Sequence, residues 1–196
     1  MKGAGRVGVL GGTFDPPHVA HVLCAVDVRH ALTLDRMLLV VANDPWQKRG
    51  ARAISPAKDR LAMVAEAVRG VEGVEASDLE IRRGGASFTA DTVDELLAAG
   101  AGEVLVVVGS DAAALLPTWR RAEELAERAT FVVVERPGWP VVEPPGFRLR
   151  PVVTPHLDIS SSAIRRRVEQ GEPIVPLVAR GVATEISRRR LYAGSP

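Results

Sequence analysis

Short apolar runs alternate with amphipathic stretches along most of this chain. Arg6–Leu10 (RVGVL), Arg36–Val41 (RMLLVV), Glu103–Val108 (EVLVVV) and Thr130–Glu135 (TFVVVE) are runs of five or six residues with little polar interruption. Runs of this length, rich in β-branched residues, predict strands covered on both faces. Val74–Ile81 alternates more loosely and reads as a further strand, and Leu149–Val153 as a short one inside a Pro- and Gly-rich loop over 137–155. Between the strands the period changes to that of helices. His18–Ala31 predicts a helix with Val22, Ala25, Val26 and Val28 on its packed face. Ser55–Arg69 predicts another, with Ser55 as N-cap, Pro56 at the first position, and Leu61, Val64, Ala65 and Val68 facing inward. Thr89–Ala99 (Thr89 as cap), Trp119–Arg128, Ile159–Gln170 (ending at Gly171) and Ala179–Leu191 complete the helices, and Ala193–Pro196 reads as a frayed tail.

Strand, helix and strand joined by short connections form βαβ units, which require parallel strands. The whole pattern predicts a doubly wound, Rossmann-like α/β fold in one domain over 1–196, with a small C-terminal helical segment at about 159–192. No repeat or low-complexity segment interrupts it.

Composition narrows the function. The 196 residues are 46% hydrophobic and 25% charged, which excludes general disorder. The single cysteine, Cys24, excludes a disulfide framework and a multi-cysteine zinc site. Twenty-five basic residues balance 24 acidic ones, which argues against a general nucleic-acid binder. The 22 arginines against 3 lysines accompany abundant alanine and read as base composition. No apolar run approaches the ~18 residues of a membrane span, and no signal peptide is apparent. The expectation is a soluble, cytoplasmic protein, monomeric or homo-oligomeric.

The densest chemistry is Gly11-Gly12-Thr13-Phe14-Asp15-Pro16-Pro17-His18-Val19-Ala20-His21. Two glycines end a buried strand, where open α/β sheets bind ligands; they read as a turn needing unusual φ angles or a close backbone approach. His18 and His21 are three residues apart, so they share one face at a helix start. With the free N–H groups and the dipole there, they make an anion site. A metal site is disfavoured, because no third His or Cys accompanies them.

This segment resembles the nucleotidylyltransferases with an HxGH signature, and GGTFDPPH is similar to the bacterial nicotinate-mononucleotide adenylyltransferases. Ala20 stands where that family usually has glycine. Ile159-Ser160-Ser161-Ser162-Ala163-Ile164-Arg165 resembles the family's ISSTxIR motif, with serine for threonine at Ser162. Read from the residues alone, the serines are a helix cap with hydroxyls to spare. Further likenesses are Ser87-Phe88-Thr89-Ala90-Asp91-Thr92, Gly109-Ser110-Asp111, Pro117-Thr118-Trp119, Arg136-Pro137-Gly138, and Lys48 in a segment over 44–48. The resemblance runs from Val7 to about Tyr192.

It implies transfer of AMP from ATP to nicotinate mononucleotide, giving deamido-NAD and pyrophosphate, with Mg²⁺ bound through the ATP phosphates. His18, His21 and Arg165 would act at the reacting phosphates. Gly11, Gly12, Thr13, Phe14, Gly109, Asp111, Ser160, Ser161 and Arg165 would hold ATP. Asp15, Lys48, Thr89, Trp119 and Arg136 would hold the mononucleotide, Thr89 beside the pyridine carboxylate and Trp119 stacked on the ring. Open alternatives are a preference for amidated NMN or another phosphorylated small molecule such as phosphopantetheine, and a non-catalytic nucleotide sensor of the same fold. A Ser/His hydrolase is disfavoured by the lack of a G-x-S-x-G elbow.

Overall fold

The computed structural model describes residues 5–45, 53–135 and 140–193. Six strands form one sheet: β1 (Arg6–Gly12), β2 (Arg36–Val41), β3 (Val74–Ser77), β4 (Glu103–Gly109), β5 (Thr130–Val134) and β6 (Leu149–Val152). Their order is β3-β2-β1-β4-β5-β6, and every neighbouring pair is parallel. Parallel neighbours need long crossovers. Most are helical: α1 (Val19–Ala31), α2 (Ala57–Ala67), α3 (Leu79–Arg83), α4 (Thr89–Ala98), α5 (Ser110–Ala113) and α6 (Ala122–Arg128), followed beyond β6 by α7 (Ser161–Glu169) and α8 (Arg180–Arg188). The chain starts in the middle of the sheet, winds to one edge, and returns to wind to the other. That reversal leaves a crevice beyond the carboxyl ends of β1 and β4.

Period-2 alternation sorts the strand residues onto two cores. Val7, Val9, Val104, Val106, Val108 and Phe131 face α4 and α6. Met37, Leu39, Val41, Leu105 and Val107 face α1 and α2. A third cluster joins Met63 and Ala67 of α2 to Ile164 of α7 and to Val182 and Ile186 of α8. The C-terminal helices are thereby anchored beside the start of α1. Among the described residues no helix is long and apolar enough to cross a membrane.

Several expectations are corrected. Gly11 and Gly12 do not stop β1; they lie within it, paired with Val40 and Val41. Helix α2 starts at Ala57 with Pro56 at the cap and no side-chain cap bond, so Ser55 does not cap it. Its buried face is Arg60, Met63, Val64 and Ala67, with Val68 just beyond it. Ala65 is exposed. Val26, placed on the packed face of α1, is 38% exposed. The strand expected over Val74–Ile81 ends at Ser77 and becomes α3, whose buried residues are Leu79 and Glu80. Thr89 is the first residue of α4, not its cap, which is Phe88. Trp119 lies in extended backbone after a 3₁₀ turn (Leu116–Thr118), and the helix begins only at Ala122. Lys48, Arg136 and the end of the tail (194–196) lie outside the described residues.

Phe131 is 1% exposed, with Phe147 and Trp119 meeting it edge-on at centroid distances of 5.3 and 6.4 Å. It fills the core directly beneath Trp119. Phe131→Ala is expected to lose about 3–5 kcal/mol in urea unfolding. A loss below about 1 kcal/mol would contradict this account of the packing.

Candidate active site

The backbone of the segment after β1 has few sheet partners left, so its polar groups must be satisfied elsewhere. Side chains from distant parts of the chain do this. Arg60, 1% exposed, donates to the carbonyls of Thr13 (2.9 Å), Asn43 (3.2 Å) and Ser55 (2.8 Å). The Arg165 guanidinium donates to the Asp15 carbonyl at 2.7 Å and to the Ser162 hydroxyl at 2.9 Å. The Ser161 hydroxyl donates to the Pro16 carbonyl at 2.8 Å. Asp15 is 1% exposed; one carboxylate oxygen accepts from the Tyr192 hydroxyl at 2.5 Å and the other from the Ser55 N–H at 3.4 Å. The Asp15 side chain is thus employed inside the fold.

Gly12 acts through space rather than through φ. A Cβ on Gly12 would stand 2.8 Å from the Phe14 ring, whereas one on Gly11 would meet nothing within 4 Å. The positive φ of this segment belongs to Phe14, at 50°. Phe14 is buried, and its ring meets His21 edge-on at 5.0 Å.

His18 takes the N-cap of α1 in extended backbone, and its N–H donates to Nδ1 of His21 at 3.1 Å. This is the reach-back half of a capping box, with histidine in place of glutamate at N3. Because Nδ1 accepts, the neutral ring carries its proton on Nε2, which makes that end a donor. The two rings stack at 3.7 Å with planes 30° apart. The expected row of free N–H groups is only partly there: Val19 N–H donates to Leu177 O (3.0 Å) and His21 N–H to His18 O (2.9 Å).

Two adjoining cavities open at the crevice. The larger, about 730 Å³, is lined by Asp15, His18, His21, Gly109, Asp111, Ser160, Ser161 and Arg165, and Ala20 borders it. The smaller, about 370 Å³, is lined by Gly11, Gly12, Thr13, Phe14, His21, Thr89, Asp111, Trp119 and Ser161. His21, Gly109, Asp111 and Ser161 line both, so the two form one cleft. The structure therefore brings to one cleft every site residue read from the sequence except Lys48 and Arg136, which are not described; Gly11, Gly12, Thr13 and Phe14, expected to hold ATP, line the smaller cavity, and Asp15, expected to hold the mononucleotide, lines the larger. Ser160 is the true cap of α7, accepting from Ala163 N–H at 3.1 Å.

Three residues escaped the sequence reading. Arg60 carried a signal, since it sits three and four residues before Met63 and Val64 on the buried stripe of α2. Glu80 lines the smaller cavity, 7% exposed, and accepts from the Thr92 hydroxyl at 2.8 Å. Tyr192 gave none, because only the fold brings it to Asp15, 177 residues away in the chain.

A cleft with stacked imidazoles, an arginine and hydroxyls at one end, and an aromatic-lined compartment at the other, suits a phosphorylated ligand with a flat ring. Comparison with known proteins agrees. Residues 9–167 match the model of a family described as Cytidylyltransferase-like. The chain is 38% identical over 195 residues to a "Probable nicotinate-nucleotide adenylyltransferase" of Corynebacterium kroppenstedtii, covering 97% of this chain and 92% of that protein. It is 42% identical over 190 residues to one so named from Frankia casuarinae, covering 95% and 100%. Its fold is similar to that of Plasmodium falciparum nicotinic acid mononucleotide adenylyltransferase complexed with NaAD. The TM-score is 0.77 at 19% identity, over 96% of this chain and 97% of that one.

Arg60→Met should leave the Thr13, Asn43 and Ser55 carbonyls without this donor. At about 1–3 kcal/mol per unsatisfied group, a loss of about 3 kcal/mol or more is expected in chemical denaturation. Arg60→Lys should not restore it, because an ammonium lacks the planar fork. A loss below about 1 kcal/mol for the methionine variant would contradict the bracing role.

Proposed function

The chain belongs to the nicotinate-nucleotide adenylyltransferases of the cytidylyltransferase-like family, and from that membership we propose a role for each part of its cleft. The enzyme transfers AMP from ATP to the 5′-phosphate of nicotinate mononucleotide, releasing pyrophosphate, in the synthesis of NAD. The bond between the α-phosphorus and the bridging oxygen breaks as a phosphate oxygen of the mononucleotide attacks in line. That oxygen is already anionic, so no general base is required. Placement and stabilisation of charge carry the rate.

The observation that carries this reading is the stacked His18–His21 pair at the β1–β4 crevice, where the two cavities meet. The larger cavity takes ATP. His18 and His21 lie at the reacting phosphates, with Ser161 and Arg165 beside the leaving pyrophosphate and Gly109 and Asp111 toward the nucleoside. The smaller cavity takes the mononucleotide, with Trp119 against the pyridine ring and Thr89 at the start of α4 beside its carboxylate. Lys48 and Arg136 are proposed to contact the mononucleotide. The chain works as one unit over 1–196, with the C-terminal helices completing the phosphate end.

A Mg²⁺ ion, held by ATP phosphate oxygens and water, would neutralise charge on the triphosphate. The residues fit an ion bound in that way. The carboxylates that line the larger cavity, Asp111 among them, could meet the ion through its waters. A biosynthetic enzyme of this kind works in the cytoplasm.

His18→Ala is expected to lower kcat by about two orders of magnitude or more, with the unfolding midpoint little changed. Unchanged turnover would remove His18 from the mechanism. With equal ATP, the acid mononucleotide should release pyrophosphate faster than its amide. The reverse order would move the assignment to NMN.

A further inference from the structure

The turn after α8 brings the chain back toward the cleft. Arg189 N–H bonds Glu185 O, Arg190 N–H bonds Ser187 O and Leu191 N–H bonds Ile186 O, the pattern of a Schellman cap. Its left-handed position holds Arg190 (φ 53°) instead of glycine, and Tyr192 also has positive φ, at 60°. Two non-glycine residues in that region cost energy that the surroundings must supply. The result is that the Tyr192 hydroxyl reaches the carboxylate of Asp15 at 2.5 Å, with Met63 Sδ at 3.9 Å behind it. The peptide unit of Asp15 is the one that Arg165 grips, three residues before His18.

We propose that Tyr192 is a positioning residue for the phosphate loop: its hydroxyl, held against the buried Asp15 carboxylate, fixes the segment that sets His18 and His21 and so ties the end of the chain to the reacting centre. The proposal rests on the adenylyl-transfer reading of the cleft. It adds a residue that touches no substrate and acts through Asp15. Removing the hydroxyl leaves one oxygen of a 1%-exposed carboxylate without this donor, so the loop is free to settle elsewhere. The chemistry is sensitive to such shifts, because in-line transfer depends on sub-ångström placement.

Tyr192 is the only tyrosine in the chain, so its ionisation is readable by absorbance without interference from another phenol. Burial, then the hydrogen bond and charge of Asp15, raise its pKa above the usual value, with Ser55 and Arg165 opposing. Folding therefore favours the protonated phenol. The unfolded chain loses that proton near pH ~10, so this group's contribution to stability is full below pH ~10 and is lost as pH rises beyond it.

The test uses the full chain. The wild-type phenol should resist ionisation through pH ~10 and titrate near ~10 in denaturant. A native phenol that titrates at the ordinary value overturns the contact. In pyrophosphate release, Tyr192→Phe should lower kcat about ten-fold, with KM for ATP and for the mononucleotide within about two-fold, per mole of folded enzyme. Asp15→Asn combined with Tyr192→Phe should lose no more kcat than the worse single variant, because the two act as one unit. Unchanged kcat for Tyr192→Phe, or losses that multiply in the double variant, overturns the positioning role. A wild-type chain that releases no pyrophosphate overturns the adenylyl-transfer reading, and this proposal with it; an active wild type with unaltered Tyr192→Phe overturns the proposal alone.

Discussion

A loop that leaves the middle of a parallel sheet must have its backbone satisfied by something other than strands, and in this protein that demand shapes the rest of the site. Between Thr13 and Pro17 the partners are side chains: Arg60 on Thr13, Arg165 on Asp15, and Ser161 on Pro16. The Asp15 carboxylate adds Tyr192 and Ser55. These residues come from α2, α7, the segment before α2 and the turn after α8. The loop is therefore a meeting point for elements that the sheet alone would not bring together. Its two histidines follow at the start of α1, and their positions are set by this bracing.

The same arrangement accounts for the division of the cleft. α7 reaches the loop because Ile164 packs with Met63 and Ala67 of α2 and with Val182 and Ile186 of α8. Its first turn then borders both cavities through Ser161. On the other side, the 85–88 segment is held to the end of β2: Asn43 N–H donates to the Ser87 hydroxyl, Ser87 N–H to the Asp44 carbonyl, and Asp44 bridges Ala86. That link places Phe88 and Thr89 opposite Trp119 in the smaller compartment. The two compartments are thus walled by separate parts of the chain.

The strands and their parallel pairing were legible in the sequence, because runs such as EVLVVV are buried on both faces and carry that burial in their composition. Helix ends were less legible. Trp119 looked helical from its amphipathic neighbours, yet the 3₁₀ turn at Leu116–Thr118 and the left-handed Arg121 delay α6 to Ala122. The glycines were read for their φ freedom, but the structure uses Gly12 for the space against Phe14. The cleft residues could be read because they stand in local clusters, such as 11–21 and 159–165. Arg60 and Tyr192 brace those clusters over 47 and 177 residues; Arg60 shows locally only as a charge on the buried stripe of α2, and Tyr192 leaves no local pattern.

The most direct test of the central claim is a crystal structure of the full chain with Mg²⁺ and a non-hydrolysable ATP analogue. The account predicts the triphosphate in the larger cavity, its oxygens within hydrogen-bond reach of His18 or His21 and of Arg165, and the adenosine toward Gly109 and Asp111. An analogue seated elsewhere, with both imidazoles turned away from an empty crevice, would contradict it.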